Sequence, residues 1–221
     1  MIWLVSQAWG LYQPTWEQLY PEAGWIQKDL ISSSVGNILV FEKTIDEMPC
    51  FQARTQTDVP PELLLEIAAD AESSLEWSSA GLLEAQTLHR QDNYVDYYQY
   101  LRLPIISDRY WILRGYFETF EHENKKAQIF RWHPISEKYL SKSKEVKEHH
   151  SGAVETQTNI GAWMILSDDQ APNVEVRYYI CTHPGGYIPS SLQALGTEHT
   201  LPNNIEEIIH EARRRIKNRK Q

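Results

Sequence analysis

The chain has 221 residues, 42% of them apolar, and a net charge of −9. That suffices for one sizeable globular core, and an acidic balance of this size argues against nucleic acid, which needs a cationic surface. No run of about 18 apolar residues is available to cross a membrane as a helix.

Residues 1–10 are apolar, but no basic residue precedes them and the run is short for a secretory signal. The chain therefore reads as cytoplasmic, although an export precursor trimmed and restarted at Met1 would have the same sequence. An amphipathic helix is expected over 16–26, from Trp16, Leu19, Tyr20, Ala23 and Ile26. Residues 1–23 are thus expected to be a helical segment packed on a domain that spans 24–221. Strands are expected over 38–42 and 50–57, separated by the turn Asp46-Glu47-Met48-Pro49. Pro60 and Pro61 suit a helix start, and 62–75 continues with good helix formers.

Four strand-like runs follow, over 82–89, 94–103, 110–119 and 127–133. Residues 137–150 are rich in lysine and glutamate, which predicts an exposed excursion. Strands over 154–166 and 174–181 flank the turn 168–173. Helix is expected over 189–195, then a break at 196–202, then a second helix over 205–219 capped by Asn203 or Asn204. Its apolar face would comprise Leu192, Leu195, Ile205, Ile208, Ile209, Ala212 and Ile216. Arg213, Arg214, Arg215, Lys217, Arg219 and Lys220 gather cations at the C-terminal end, where they suit the helix dipole or an anionic membrane surface. The order is α+β, without the alternation of a parallel sheet.

Two segments carry more than secondary structure. Pro104-Ile105-Ile106-Ser107-Asp108-Arg109 forms a loop between two strands, because Pro104 cannot donate to a ladder and Ser-Asp can cap a turn. His183-Pro184-Gly185-Gly186-Tyr187-Ile188-Pro189 closes the last strand and opens the last helix. Together they resemble the StAR-related lipid-transfer (START) family, with its P-x-x-x-S-x-R loop and D-P-x-G-x-[IL]-P turn. Trp77 and Gly161-Ala162-Trp163 extend the resemblance, which covers roughly 24–216. The sequence departs from the family pattern at Ser78, Tyr110 and His183, each in place of an aspartate.

The resemblance implies a helix-grip fold, a curved antiparallel sheet wrapped around the C-terminal helix with an apolar cavity between them. It also implies that the strand beginning near Cys50 pairs antiparallel with the one ending near Cys181. The two cysteines are too few for a disulfide scaffold, and they are expected close together but as free, buried thiols. The expected ligand is a single lipid, sterol-like compound or other hydrophobic small molecule, with transient membrane contact and no cofactor. Candidate ligand-binding residues are Asp96, Tyr98, Ile105, Ile106, Arg109, Trp111, Arg114, Trp163, Tyr178, Leu192, Leu195 and Ile208.

Asp96 and Arg114 are expected either to pair inside the tunnel and orient a head group, or to pair on the sheet exterior. Arg109 is expected to pair with a nearby acid and fix its loop. No G-x-S-x-G, H-E-x-x-H or C-x-x-C is present, His149-His150 suits a solvated surface, and His89, His122 and His133 lack the spacing of iron ligands. The expectation is binding without catalysis. The alternatives are an enzyme of aromatase/cyclase or hydrolase type on this fold, and a protein-interaction module.

Overall fold

The structure is a computed structural model that describes residues 14–103, 106–183, 185 and 190–220, with the backbone alone over 190–199. One sheet runs through it. The strands are β1 (Ile26–Ser33), β2 (Gly36–Ile45), β3 (Met48–Thr57), β4 (Leu82–Gln91), β5 (Tyr94–Leu101), β6 (Arg109–His122), β7 (Lys125–Pro134), β8 (Val154–Glu155), β9 (Thr158–Ser167) and β10 (Val174–His183). Their order is β1-β2-β3-β10-β9-β7-β6-β5-β4, with β8 parallel to β6 and every other pairing antiparallel.

The helices are α1 (Trp16–Leu19), α2 (Pro61–Ala68), α3 (Ser74–Trp77), α4 (Leu140–His149) and α5 (Ser190–Arg219), with a 3-10 turn at Ser136–Tyr139. On α5, Leu201, Ile205, Ile208, Ile209 and Ala212 are buried and recur at helical spacing. They join Ile38, Phe51, Ala53, Ile165, Val176 and the leucines of α2 in the main core. The helix-grip architecture expected from the sequence is the one observed.

Several elements differ from expectation. The N-terminal helix stops at Leu19, and Ile26 begins an edge strand instead. β1 is almost wholly exposed, so it is held by its backbone ladder to β2 and leaves no hydrophobic pattern to read. The expected break at 196–202 is absent, because α5 runs unbroken through Pro202. Losing one backbone hydrogen bond there is outweighed by the continuous buried stripe beyond it. The charged segment 137–150 is no open excursion, since α4 buries Val146 and Ser143 against the outer face of β5 and β6.

Cys50 and Cys181 lie directly opposite each other on β3 and β10. Their Cα atoms are 4.4 Å apart, and the residues form a disulfide rather than free thiols. The reason is register: directly opposed residues share a face, and this spacing is that of the narrow antiparallel pair, within disulfide reach. The bridge is fully buried in a cluster with Leu19, Ile45 and Ile160, against which Trp16 and Trp25 pack. α1 therefore covers the outer face of the sheet. Trp16 meets Tyr179 edge-on at 5.4 Å. Residues 1–13 of the segment expected to pack on the domain lie outside the described residues.

At the sheet centre Gly161 stands opposite Ile180 and Trp132. A side chain there would collide with the Tyr179 carbonyl oxygen and the Trp132 indole. Gly161→Ala is expected to lower stability by about 1–3 kcal/mol through overpacking. Urea unfolding should show a lower midpoint at an unchanged m-value, whereas an unchanged midpoint would mean that the strands part without cost.

Candidate ligand-binding cavity

A cavity of about 420 Å³ lies between the concave face of the sheet and the helices α2, α3 and α5. Strand alternation decides which residues reach it. From β5 come Tyr97, Gln99 and Leu101, and from β6 come Trp111 and Leu113. Phe130 and Trp132 on β7, Asn159 and Trp163 on β9, and Tyr178, Ile180 and Thr182 on β10 complete the sheet wall. The helical wall includes Ala68, Ser74 and Trp77 on one side and Thr200, Leu201 and Asn204 on the other. Leu103 and Ile106 line the end nearest the 103–108 loop.

The wall is dominated by aromatic rings in mutual contact. Trp163 stacks on Tyr178 with centroids 4.2 Å apart, and Tyr178 is 6.0 Å from Trp132. The polar groups among them are largely paired. The Gln99 side chain accepts from Trp111 Nε1 at 2.9 Å and donates to Ser74 Oγ at 3.1 Å. Trp132 Nε1 donates to Asn159 Oδ1 at 3.0 Å. Burial pushes the Tyr178 hydroxyl up to about 12, opposed by its hydrogen bond with the Asn204 side chain. Burial likewise raises Tyr97. Both phenols stay protonated at neutral pH, and no charged side chain lines the cavity among the described residues.

Of the residues expected to bind ligand, Ile106, Trp111, Trp163 and Tyr178 are on this wall. Ile208 is buried in the core between α5 and the sheet, away from the lining. Ile105, and the side chains of Leu192 and Leu195, lie outside the described residues. Asp96, Tyr98 and Arg114 are on the opposite, outer face, which overturns the in-tunnel placement of the pair. The physical reason is phase: Asp96 alternates with Tyr97, and Arg114 is an odd number of residues from Trp111. Asp96 is fully buried there beneath the 3-10 turn. Its carboxylate accepts from Arg114 Nε, from Arg114 Nη2 at 2.8 Å, from Lys138 Nζ at 2.8 Å and from the Tyr139 hydroxyl at 2.7 Å. Tyr98 donates to Glu84 at 2.9 Å in the cluster under α4.

Arg109 is buried and donates to main-chain oxygens, those of Ser107, Asp108 and Gly185, the last at 3.1 Å. It thus ties the loop to the turn before α5. The neighbouring acid, Asp108, accepts instead from the Tyr100 hydroxyl and the Leu103 N–H. Gly185 has φ +72°, which favours glycine, and its N–H donates to His183 Nδ1 at 3.2 Å. His183 therefore caps this turn, a job within reach of a short acceptor side chain such as aspartate. His150 is half-buried, stacked on Tyr100 at 4.1 Å with Nε2 2.6 Å from Glu84, rather than solvated. No group of side chains suited to holding a metal ion occurs among the described residues.

The basic C-terminal residues are partly neutralised in place. Arg213 pairs with Asp58, Arg215 with Glu211, Glu66 and Asp70, and Arg219 with Glu66. Among the described residues no helix is long and apolar enough to cross a membrane.

Sequence missed Tyr97, Gln99, Leu113, Phe130 and Trp132, although the alternation that places Trp111 on the wall would have placed Leu113 there as well.

No family model matches the sequence, and no curated protein matches it significantly. The structure is similar to a fragment of a STAR-related lipid transfer protein from Xanthomonas axonopodis, at 18% identity and TM-score 0.68, covering 86% of this chain and 99% of that one. It is also similar to human StAR-related lipid transfer protein 5, at 11% identity and TM-score 0.63, covering 93% and 92%. The Zhui aromatase/cyclase from a Streptomyces species shares the architecture at 10% identity and TM-score 0.54, over 76% of this chain and 96% of that one. The chain has the START helix-grip fold.

Proposed function

We propose that this protein binds one apolar or amphipathic small molecule in the cavity between the sheet and α5. The observation that carries the reading is a 420 Å³ space walled by aromatic and aliphatic side chains, within the size range of small-molecule sites. Each 100 Å² of apolar ligand surface withdrawn from water would contribute about 2.5 kcal/mol before the cost of association. We assign the entrance to the end of the cavity lined by Leu103 and Ile106. The loop and α5 would act together as its gate. Arg109, by joining loop to turn, would couple the two sides.

Likeness to lipid-transfer proteins supports the lipid reading, and likeness to an aromatase/cyclase supports an enzyme on the same fold. The lining favours the first. General acid–base catalysis needs a group that titrates near neutrality, and the titratable side chains in the described lining are two tyrosines held protonated.

Native mass spectrometry of the purified chain is expected to show one small molecule per protein. Ala68 lines the cavity from α2. Ala68→Trp should fill part of the space and weaken that retention by about tenfold or more while leaving the circular-dichroism spectrum unchanged, since a displaced ligand loses the apolar contact that holds it. Equal retention by the variant would place the ligand elsewhere, and an empty wild-type cavity that also takes up no hydrophobic probe would end the binding reading.

A further inference from the structure

We infer that His150, on the outer face of the sheet, is a pH-sensitive latch: protonated, it clamps the junction of α4 and β8 onto the base of the 103–108 loop, and the clamp loosens as the imidazole loses its charge. This rests on the proposed function and adds its regulation, because the entrance is assigned to that end of the cavity.

The junction touches both the loop and the turn before α5. His150 closes α4, with its N–H on the Val146 carbonyl at 2.8 Å and its own carbonyl accepting from Ala153 at 3.1 Å. Just beyond, the Val154 N–H donates to the Asp108 carbonyl at 2.9 Å and the Thr156 N–H to that of Tyr110 at 2.9 Å. A Cβ on Gly185 would lie 3.0 Å from the Glu155 carbonyl oxygen and from the Val154 side chain. Loop and turn therefore rest on the same short strand.

The imidazole anchors this junction to the sheet. Its ring stacks on Tyr100 with centroids 4.1 Å apart, and Nε2 lies 2.6 Å from Glu84 on β4. Tyr100 in turn donates to Asp108, whose other carboxylate oxygen accepts from the Leu103 N–H at 3.3 Å. The ring thus has one carboxylate beside it and a second reached through Tyr100. Asp108 is held below the usual carboxylate range, first by the Tyr100 hydrogen bond and then by the Leu103 N–H, Arg102 and His150.

The other groups around the ring largely cancel. Lys142 pairs with Glu145 on α4 at 2.9 Å, Lys147 reaches Glu155 on β8 at 4.0 Å, and His149 Nδ1 is bonded to the Glu145 carbonyl at 2.9 Å. Burial is the first cause that raises Tyr98, Tyr100 and Tyr110, so these phenols carry no charge. Arg102, exposed just beyond β5, opposes a positive ring, whereas Glu84 and Asp108 favour it. Histidine changes charge between about pH 5 and 8. The proton makes the contact with Glu84 a charge-assisted bond and the stack on Tyr100 a cation–π contact. The clamp is therefore strongest at the acid end of that range and weakens as pH rises through it.

The test uses the full chain and two amides that report the clamp, Leu103 and Val154, with Ile165 of β9 as reference. Their hydrogen exchange is followed by NMR at about pH 6 and pH 8 and corrected for the intrinsic rate. Protection of Leu103 and Val154 is expected to fall by about 3–10-fold, and that of Ile165 by less than about 2-fold. His150→Phe keeps a ring on Tyr100 and cannot titrate, so the fall should disappear. Equal protection at both pH values in the wild type would overturn the latch, and this result requires no variant to fold. The same fall in His150→Phe would assign it to another group and overturn the latch as well. N-phenyl-1-naphthylamine, uncharged across this range, serves as the cavity probe and should leave the wild type about 3–10-fold faster at pH 8. Probe release that ignores pH while the amides respond would keep the latch and remove the entrance from this end of the cavity. A probe that does not bind at all would count against the binding function, and the amides would still decide the latch.

Discussion

Reducing the Cys50–Cys181 disulfide, or replacing both residues by alanine, is expected to lower stability by about 2–5 kcal/mol. The bridge closes a long segment of chain, with 131 residues of sequence separation. Chain entropy removed from the unfolded state grows with the logarithm of that length, and this loop lies near the upper end of the range. The bridge also joins β3 to β10, the step at which the N-terminal hairpins meet the C-terminal strands. Both sulfurs are buried beneath α1, so reductant should act slowly on the folded protein and quickly once it opens. Thermal unfolding with and without a phosphine reductant, with alkylation and mass spectrometry to count thiols, measures the effect. Equal midpoints for protein shown to be bridged and protein shown to be reduced would remove the stabilising role.

How much of this was legible in the sequence depended on whether a segment carried its own hydrophobic period. Eight of the strands announce themselves through β-branched and aromatic runs, and the pairing of β3 with β10 follows from the fold that the loop and turn motifs imply. β1 did not, because its residues are polar or exposed and its partner supplies the ladder. Helix α4 was hidden by its lysines and glutamates, since Val146 alone among its large apolar residues is buried. The expected break in α5 rests on Pro202 and Gly196, local signals that lose to the buried stripe from Leu201 to Ala212.

The site was legible by residue type and less so by face. Trp111 and Arg114 cannot both reach the cavity, because residues three apart on a strand point to opposite sides. Phasing the strands on Trp111 and Trp163 would have moved Arg114 and its partner Asp96 outward. Nothing in the sequence alone shows that the outer face is also covered, and this is why a buried ion pair could be mistaken for a ligand group. α4 and the 3-10 turn supply that cover.

Asp96→Ala is expected to destabilise the protein by about 3–5 kcal/mol without changing what the cavity binds. Four donor contacts converge on a fully buried carboxylate, and its removal leaves Arg114 facing Tyr94 with no anion beside it. Asp96→Asn keeps the shape and some hydrogen bonds but not the charge, so it should fall between wild type and alanine. Burial alone would raise this carboxyl, yet its hydrogen bonds from Arg114, Lys138 and Tyr139 win and hold it down at about 2, from an ordinary value of 3.8. A depressed folded-state pKa means that the unfolded chain takes up the proton first. The stabilisation is therefore complete above about pH 4 and is lost as pH falls from there through about 2, amounting to about 2 kcal/mol. Denaturant titrations of wild type and Asp96→Asn across that range should converge at the acid end. Parallel curves would show that the ion pair adds nothing to stability, and altered retention of a small molecule by either variant would show that the outer-face pair acts on the cavity through the sheet.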